Sequence, residues 1–129
     1  MTSRFFAARI LHHILTGNRA YLVVFCKSAT DARETMRHLD ALLRPLVEHL
    51  ATDANTITID RRMRVEFLTT GAGTKGKKYR NERCDTIIAD DLYEDASTPA
   101  QTQRIAQWWM RDVVPMGAPG AEAYLHPRA

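Results

Sequence analysis

Residues 84–95 read Cys-Asp-Thr-Ile-Ile-Ala-Asp-Asp-Leu-Tyr-Glu-Asp, and this stretch decides the fold. Its β-branched apolar run, Thr86–Ala89, ends abruptly at two adjacent carboxylates, Asp90 and Asp91. A buried parallel strand has this pattern when its carboxyl end opens into a ligand crevice. In a Walker B strand the first acid holds Mg²⁺ and the second orients or deprotonates the attacking water. A strand followed by a solvated acidic turn has the same pattern, so both interpretations stay open on these residues alone.

The composition is that of a globular protein with one domain. The chain has 129 residues, of which 45% are hydrophobic and 26% charged, enough for a single core. No apolar run approaches the length of a membrane span, and the N-terminal residues lack the pattern of a signal peptide. A cytoplasmic protein without a membrane partner is therefore expected. Cys26 and Cys84 lie in or beside apolar strand-like runs, which favours buried, reduced thiols.

Charge is distributed unevenly around the acidic strand end. The net charge is +3, which is weak support for a polyanionic partner. Residues 85–95 hold five acids and no base, whereas residues 75–83 hold one acid, Glu82, and five bases: Lys75, Lys77, Lys78, Arg80 and Arg83. Opposite local potentials therefore meet at one place in the sequence.

Hydrophobic periodicity predicts alternating helices and strands before this stretch. Residues 2–16 have the apolar spacing of an amphipathic helix, and residues 21–26 read as a central strand buried on both faces. A second amphipathic helix is predicted from Asp31 onward. Pro45 should kink or break it, because the proline ring removes a backbone hydrogen bond and clashes with the preceding turn.

The remaining elements are predicted from alternation and capping signals. Residues 56–59 and 63–68 alternate polar and apolar side chains, which indicates a hairpin or two short edge strands. Residues 98–101, Thr-Pro-Ala-Gln, combine an N-cap, a proline at N1 and a capping-box glutamine, and open a helix that runs through Trp109. Residues 116–129 show no periodicity and are expected to form a flexible tail.

The glycine-rich segment Gly71–Lys78 matches two phosphate-binding patterns, G-x-G-x-x-G and G-x-x-x-x-G-K. Both patterns function only where a helix begins at the loop. Tyr79–Asp85, which separates the loop from the next strand, is too short for a crossover helix. The segment is therefore interpreted as a flexible connection, with contact to phosphate or DNA as the alternative.

The succession of these elements resembles the ATPase domain of the large terminase subunit of tailed bacteriophages, the motor that packages DNA into proheads. The resemblance covers about residues 3–114. It is carried, in the family's order, by Ser28-Ala29-Thr30-Asp31-Ala32, the Gly71–Gly76 segment, the basic stretch ending at Asp85, the strand end Thr86–Asp91, and the helix containing Arg104 and Trp109.

The resemblance implies a partial P-loop NTPase-like three-layer α/β/α fold, with a mainly parallel sheet and a short antiparallel hairpin, over residues 1–115. By position it implies that Asp90 is the metal ligand for Mg²⁺ and that Asp91 is the catalytic, water-orienting acid. Lys75 and Lys77 are the implied cofactor-binding residues near the phosphates of ATP.

The resemblance also implies partners and limits. Double-stranded DNA is the implied partner, with the small terminase subunit, the portal protein or a chain that supplies the P-loop as further candidates, in the cytoplasm of a bacterial host. The sequence shows no Walker A motif before the first helix, no nuclease domain, and no strand after the last helix. We therefore expect a truncated, Walker B-bearing piece that binds Mg²⁺ and ATP weakly and does not hydrolyse ATP at a motor-like rate alone.

Two other functions fit the same residues. In a small α/β binding module, the basic loop from Lys75 to Arg83 would dock on DNA or on another protein, and the paired acids would be a solvated turn. In a metal-dependent nuclease, Asp85, Asp90, Asp91 and Glu94 would converge on a metal ion. That function requires acids from several elements, whereas these come mainly from one.

Overall fold

A computed structural model describes residues 2–92 and 96–126 of the chain. Within these ranges the helices are α1 (Ser3–Leu15), α2 (Ala29–Leu43) and α3 (Pro99–Trp108), and the strands are β1 (Tyr21–Cys26), β2 (Leu50–Thr52), β3 (Thr56–Ile59), β4 (Met63–Thr69), β5 (Thr86–Asp90) and β6 (Glu122–His126). A π-helical turn, Trp109–Val113, extends α3 and leads into a 3₁₀ turn, Val114–Met116. No helix in the described ranges has the length and apolar character needed to cross a membrane.

The described strands form one mixed sheet in the order β2-β3-β4-β1-β5-β6. Strand β1 pairs in parallel with β4 on one side and with β5 on the other, and β6 pairs in parallel with β5. The β2-β3 and β3-β4 pairs are antiparallel. The predicted α/β class, with a mainly parallel sheet and an antiparallel hairpin, is therefore confirmed.

Strand β1 is buried on both faces, as its continuous apolar run predicts. Alternate side chains point to opposite faces of a strand, so Leu22, Val24 and Cys26 pack in a core with α1 and α2. Tyr21, Val23 and Phe25 pack in a second core with α3 and the π-helical turn. Helices thus cover both faces of the sheet. Both cysteines are buried free thiols, in agreement with the prediction.

The helices begin where the sequence places their caps. The hydroxyl of Ser28 accepts a hydrogen bond from the backbone N–H of Asp31 at 3.1 Å and starts α2. Thr98 and Gln101 form the predicted capping box at the start of α3. Helix α2 ends at Leu43, before Pro45, because proline cannot continue the backbone ladder.

The first turn of α1 lies near the carboxyl edge of the parallel strands. Phe6, in this turn, packs edge-on against His126 with the ring centroids 6.2 Å apart, and His126 is paired in register with Asp90 at the end of β5. The chain then leaves α1 at the opposite edge, where the Arg19 guanidinium donates to the hydroxyl of Thr86 at 2.8 Å. Helix α1 therefore runs antiparallel to β1, as a helix that precedes a parallel strand does.

The connection from β4 to β5 has no helix within the described residues. Instead, Tyr79 and Glu82 exchange backbone hydrogen bonds of 2.9 and 3.0 Å across a tight turn. Arg80 and Asn81 complete the turn with positive φ values of 52° and 66°. The prediction that no crossover helix begins at the glycine-rich loop is therefore confirmed for the described residues.

The predicted hairpin is present as β3 and β4, but β4 is an interior strand rather than an edge strand, since it lies between β3 and β1. Strand β2 was not predicted, because three residues, Leu50–Thr52, give no measurable alternation. It extends the antiparallel part of the sheet by pairing with β3.

The interpretation of residues 116–129 as a flexible tail is wrong for residues 116–126. Glu122–His126 forms β6, and the preceding segment is fixed by a 2.8 Å bond from the N–H of Ala118 to the carbonyl of Cys84. Gly117 is required there, because a Cβ would lie 2.8 Å from the Cβ of Ala121. Residues 122–126 are held in place because their backbone pairs with β5. Such pairing does not require a periodic pattern of apolar side chains, so the sequence gives no signal for it. Residues 127–129 lie outside the described residues.

Stability should depend on pH through His13, which is 6% exposed and whose Nε2 lies 3.1 Å from Nε2 of His126. Burial, with smaller contributions from the neighbouring His126 and Arg19, lowers the pKa of His13 from 6.5 to about 4. Between these two values His13 binds a proton in the unfolded chain but stays neutral in the folded chain. The free energy of unfolding should therefore fall by up to about 3 kcal/mol as the pH drops through this window.

Urea unfolding at a series of pH values tests this prediction. We expect the pH dependence to be flatter in His13→Gln, and unchanged in His49→Gln, which alters an exposed histidine outside the helices. Equal pH dependence in His13→Gln and the unmodified chain would contradict it.

Candidate functional site

Three parallel strands bring polar residues to one edge of the sheet. Because β1, β4 and β5 are parallel, their carboxyl ends lie side by side. Lys27 follows β1, Thr70 follows β4, and Asp91 follows β5. The N–H of Thr70 donates to the carbonyl of Cys26 at 3.0 Å, which holds the first two strand ends together.

A cleft of about 320 Å³ opens at this edge, between the strand ends and α3. It is lined by polar and charged side chains that lie after β1, β4 and β5 and on α3, and by apolar side chains: Lys27, Thr70, Asp91, Leu92, Ala96, Gln101, Arg104 and Ile105. Ligands of open α/β sheets bind at this position, outside the carboxyl ends of the strands. The cleft is therefore the candidate functional site.

Asp90, the last residue of β5, is a buried carboxylate that lacks full hydrogen bonding. It is 4% exposed, and its Oδ1 has no hydrogen-bond partner among the described residues. Burial raises the pKa of Asp90 above its ordinary value; the nearby Asp91 and Asp31 add to this effect, and Lys27 opposes it. A buried acceptor without a donor is unfavourable. A bound cation would supply the missing interaction.

The two adjacent acids differ in environment. Asp90 does not line the cleft, whereas Asp91 does, and the Asp91 backbone is fixed by a 2.8 Å bond from its N–H to the carbonyl of His126. Within the described residues no three His, Cys, Asp or Glu side chains are grouped as a metal site. A cation at this edge would thus be held by one or two carboxylates, with water and ligand oxygens completing its shell. Mg²⁺ is commonly bound in this way.

Lys77 does not lie at this edge but pairs with a buried acid on the face of the sheet. Its Nζ is 2.9 Å from Oε2 of Glu66, and Oε1 of Glu66 accepts a 2.7 Å hydrogen bond from the hydroxyl of Tyr21. Glu66 is only 8% exposed. The sequence-based role of Lys77 as a phosphate ligand thus has a structural alternative, in which it neutralises Glu66.

Lys75 is exposed and lines two surface grooves formed by the glycine-rich loop and Asp112. Neither groove shares a lining residue with the cleft that contains Asp91. The structure therefore brings Asp91 together with Lys27 and Arg104 in the cleft, with Asp90 beside it at the end of β5, and it places Lys75 elsewhere. Lys27 and Arg104 were not predicted as site residues. Lys27 could have been found because it directly follows a predicted parallel strand.

Asp85 lies at the opposite edge of the sheet from Asp90. Its Oδ2 accepts hydrogen bonds from the backbone N–H groups of Ala20 at 2.7 Å and Tyr21 at 3.1 Å. The full length of β5 separates it from Asp90. The nuclease grouping of Asp85 with Asp90 is therefore wrong, and Glu94, its fourth member, lies outside the described residues.

A second charged feature surrounds the glycine-rich loop. A groove of about 270 Å³ is lined by basic side chains from the loop, from the turn before β5 and from the π-helical turn: Lys75, Lys77, Lys78, Arg83 and Arg111. Asp112 is the acid in the lining, and its Oδ1 lies 3.6 Å from Nε of Arg111. We call this feature the basic groove.

The fold and the cleft define the class: an open α/β sheet with a cleft at the carboxyl edge of its parallel strands. Neither a scan against models of known protein families nor a search of curated proteins finds a match to this chain. Its function is therefore inferred from the geometry.

The different positions of the two loop lysines lead to a stability prediction. Lys77→Met should lower the free energy of unfolding by about 1–3 kcal/mol, because it leaves the Glu66 carboxylate buried without its cation. Lys75→Met should change it by less than about 0.5 kcal/mol, since an exposed side chain is removed. Urea unfolding of the two variants provides the comparison. Equal effects would contradict the structural role of Lys77.

Proposed function

We propose that this chain provides the Walker B part of a P-loop NTPase-type site, as in the ATPase domain of the phage terminase large subunit. Asp90 is the Mg²⁺-holding acid and Asp91 the acid that orients water. The observation that carries this proposal is the buried Oδ1 of Asp90, which has no hydrogen-bond partner among the described residues and lies at the carboxyl end of a central parallel strand. If the end of β5 were only followed by a solvated turn, a buried carboxylate oxygen without a donor would lower stability with no compensating interaction.

The order of the elements supports the same proposal. In the terminase family a strand follows the last helix, and the sequence of this chain predicts no strand at that position. Strand β6 follows α3 and pairs with β5, so an element in that position exists, although it ends in Tyr124-Leu125-His126 rather than in a Gly-Thr-Arg type sequence. Helices on both faces of the sheet also agree with a three-layer P-loop architecture.

Asp90 and Asp91 would have different roles in such a site. Bound Mg²⁺ would neutralise phosphate charge and position the phosphoryl group. Asp90 would hold the cation, which favours its ionised form and offsets the cost of its burial. Asp91, partly exposed in the cleft, can accept a hydrogen bond from a water molecule there. Double-stranded DNA is the proposed partner of the assembled motor, and a further chain would supply the P-loop.

Asp90→Asn tests the metal site through two opposite effects. Binding of Mn²⁺ as a magnesium probe, followed by electron paramagnetic resonance, should be lost, because the amide is a much weaker ligand. Without metal, the variant should be more stable than the unmodified chain by about 1 kcal/mol, since a buried charge is removed. Mg²⁺ should raise the Tm of the unmodified chain but not that of the variant.

Asp53→Asn is the matched control, because Asp53 is an exposed loop acid, and it should behave as the unmodified chain in both assays. If Mn²⁺ binds equally to the unmodified chain and to Asp90→Asn, or binds to neither, the magnesium proposal fails.

A second function, double-stranded DNA binding by the basic groove, is favoured by one specific observation. The structure adds Arg111, from the π-helical turn, to the cations of the loop, so that basic side chains from separate segments face one groove. Clustered cations bind the phosphate backbone with little dependence on base sequence. This function does not require Asp90 or Asp91.

Salt dependence tests DNA binding. The affinity for a short duplex should fall steeply as salt increases, and the slope of log affinity against log salt should decrease by about one unit for each of Lys78→Gln and Arg111→Gln. Arg37→Gln, an exposed change on α2, is the control. A slope that Lys78→Gln and Arg111→Gln leave unchanged would exclude the basic groove as the DNA site.

A further inference from the structure

The two edges of the sheet differ in length. Strand β2, at one edge, has three residues, whereas β6, at the other, has five and pairs among the described strands with β5 alone. A very short edge strand gives little backbone for another chain to pair with, but a longer exposed edge is a template for pairing. We infer that β6 pairs antiparallel with β6 of a second copy of this chain, about a two-fold axis at Tyr124, which joins two sheets into one.

The backbone of β6 defines this register. The N–H of Glu122 donates to the carbonyl of Asp85 at 2.9 Å, and the carbonyl of His126 accepts from the N–H of Asp91 at 2.8 Å. Because backbone groups alternate in direction along a strand, Ala123 and Leu125 direct their N–H and C=O groups outward.

An axis at Tyr124 sets Ala123 of each copy opposite Leu125 of the other. Residues in such a hydrogen-bonded pair exchange both of their N–H···O bonds. No other two-fold centre within β6 sets these two outward-facing residues opposite each other. The axis at Tyr124 therefore pairs all of the outward-facing backbone groups of residues 123 and 125.

One face of the joined strands would be apolar. Tyr124 packs against the core on the α1 side of the sheet, so Ala123 and Leu125 point to the opposite face. Both side chains are exposed there, and Leu125 is 44% exposed. Directly opposite residues of an antiparallel pair share a face, so each Leu125 would be covered by Ala123 of the other copy. A two-fold interface requires this kind of self-complementary surface.

The other face would bring opposite charges together. Glu122 would lie opposite His126 of the second copy, and the Glu122 side chain is 60% exposed although its Oε1 lies 3.7 Å from Nη1 of Arg19. Burial and, after it, the charge of Arg9 lower the pKa of His126. The carboxylate of one copy would therefore approach the end of β6 that lies near a guanidinium in the other. Such contacts fix the register of an interface more than they add affinity.

The inference is independent of the proposed metal site. In an antiparallel pair of strands the two copies run in opposite directions, so the carboxyl edges of their parallel strands lie at opposite edges of the joined sheet. Asp91 and the cleft that it lines would therefore stay open in both copies. Loss of the dimer and loss of metal binding are thus separate outcomes.

Sedimentation velocity over a range of protein concentrations tests the inference. The unmodified chain should show a monomer–dimer equilibrium. Ala123→Pro should raise the dissociation constant at least about tenfold, because proline removes an outward N–H and leaves the bonds to β5 intact. Leu125→Lys should have an effect of the same size, since lysine on an edge strand opposes pairing. Circular dichroism and Tm values establish that each variant is folded.

Leu46→Lys is the matched control, because Leu46 is an exposed leucine, 57% accessible, that lies outside the sheet. It should dimerise as the unmodified chain does. If the unmodified chain stays monomeric up to millimolar concentration, the inference is overturned. It is also overturned if Leu46→Lys abolishes the dimer while Ala123→Pro and Leu125→Lys preserve it.

Cross-linking by mild oxidation tests the register. Tyr124 would lie opposite its own copy in a non-hydrogen-bonded pair with the Cα atoms about 4.5 Å apart, within the range of a disulfide. Tyr124→Cys should therefore form a covalent dimer. Leu125→Cys should not, because the two copies of that residue would be diagonal neighbours about 7–8 Å apart. The native cysteines, Cys26 and Cys84, are buried. Cross-linking of Leu125→Cys in preference to Tyr124→Cys would overturn the two-fold axis at Tyr124.

Discussion

The structure depends on the burial of β1 on both of its faces. No side chain of this strand is more than 1% exposed, and it is hydrogen-bonded to parallel strands on both sides. Such a strand can exist only if helices cover both faces of the sheet and if the connections cross over those faces. The same arrangement forces the carboxyl ends of β1, β4 and β5 to one edge. The position of the cleft is therefore a consequence of the core and not a separate feature.

Three acids of the sheet, Asp85, Glu66 and Asp90, differ in how their carboxylate oxygens are hydrogen-bonded. Asp85 accepts three short hydrogen bonds at the amino edge, from the N–H groups of Ala20 and Tyr21 and from the hydroxyl of Thr86. Glu66 is satisfied by a tyrosine hydroxyl and a lysine. Asp90, which is 4% exposed, has an oxygen without a hydrogen-bond partner in the described residues. The fold thus supplies donors to the oxygens of Asp85 and Glu66, whereas one oxygen of Asp90 receives none from the described residues.

Much of this architecture could be predicted from the sequence, because local signals coincide with tertiary ones. The apolar run of β1, the proline after α2 and the capping box of α3 each specify an element without reference to distant residues. Strand β6 could not be predicted, since its side chains are largely exposed and its order comes from the backbone of β5. The partner of Lys77 likewise could not be predicted, because Glu66 lies on β4 and comes close to Lys77 only in the folded chain. Asp90 and Asp91 were predicted as site residues from their position at the end of the strand, whereas the position of Arg104 in the cleft depends on the packing of α3 over the sheet edge.

The position of β6 also has a consequence for how the chain acquires its fold. Among the described strands, β6 is the last in chain order, yet it covers one side of β5, the strand that carries Asp90. During synthesis, β1, β4 and β5 are exposed before β6 leaves the ribosome, and their parallel pairing across long sequence separations is slow. In that interval the apolar edge of β5 is open to pairing with other nascent chains. The yield of folded protein should thus depend on how soon β6 becomes available to pair with β5, and chaperones that shield strand edges should have their main effect before this pairing.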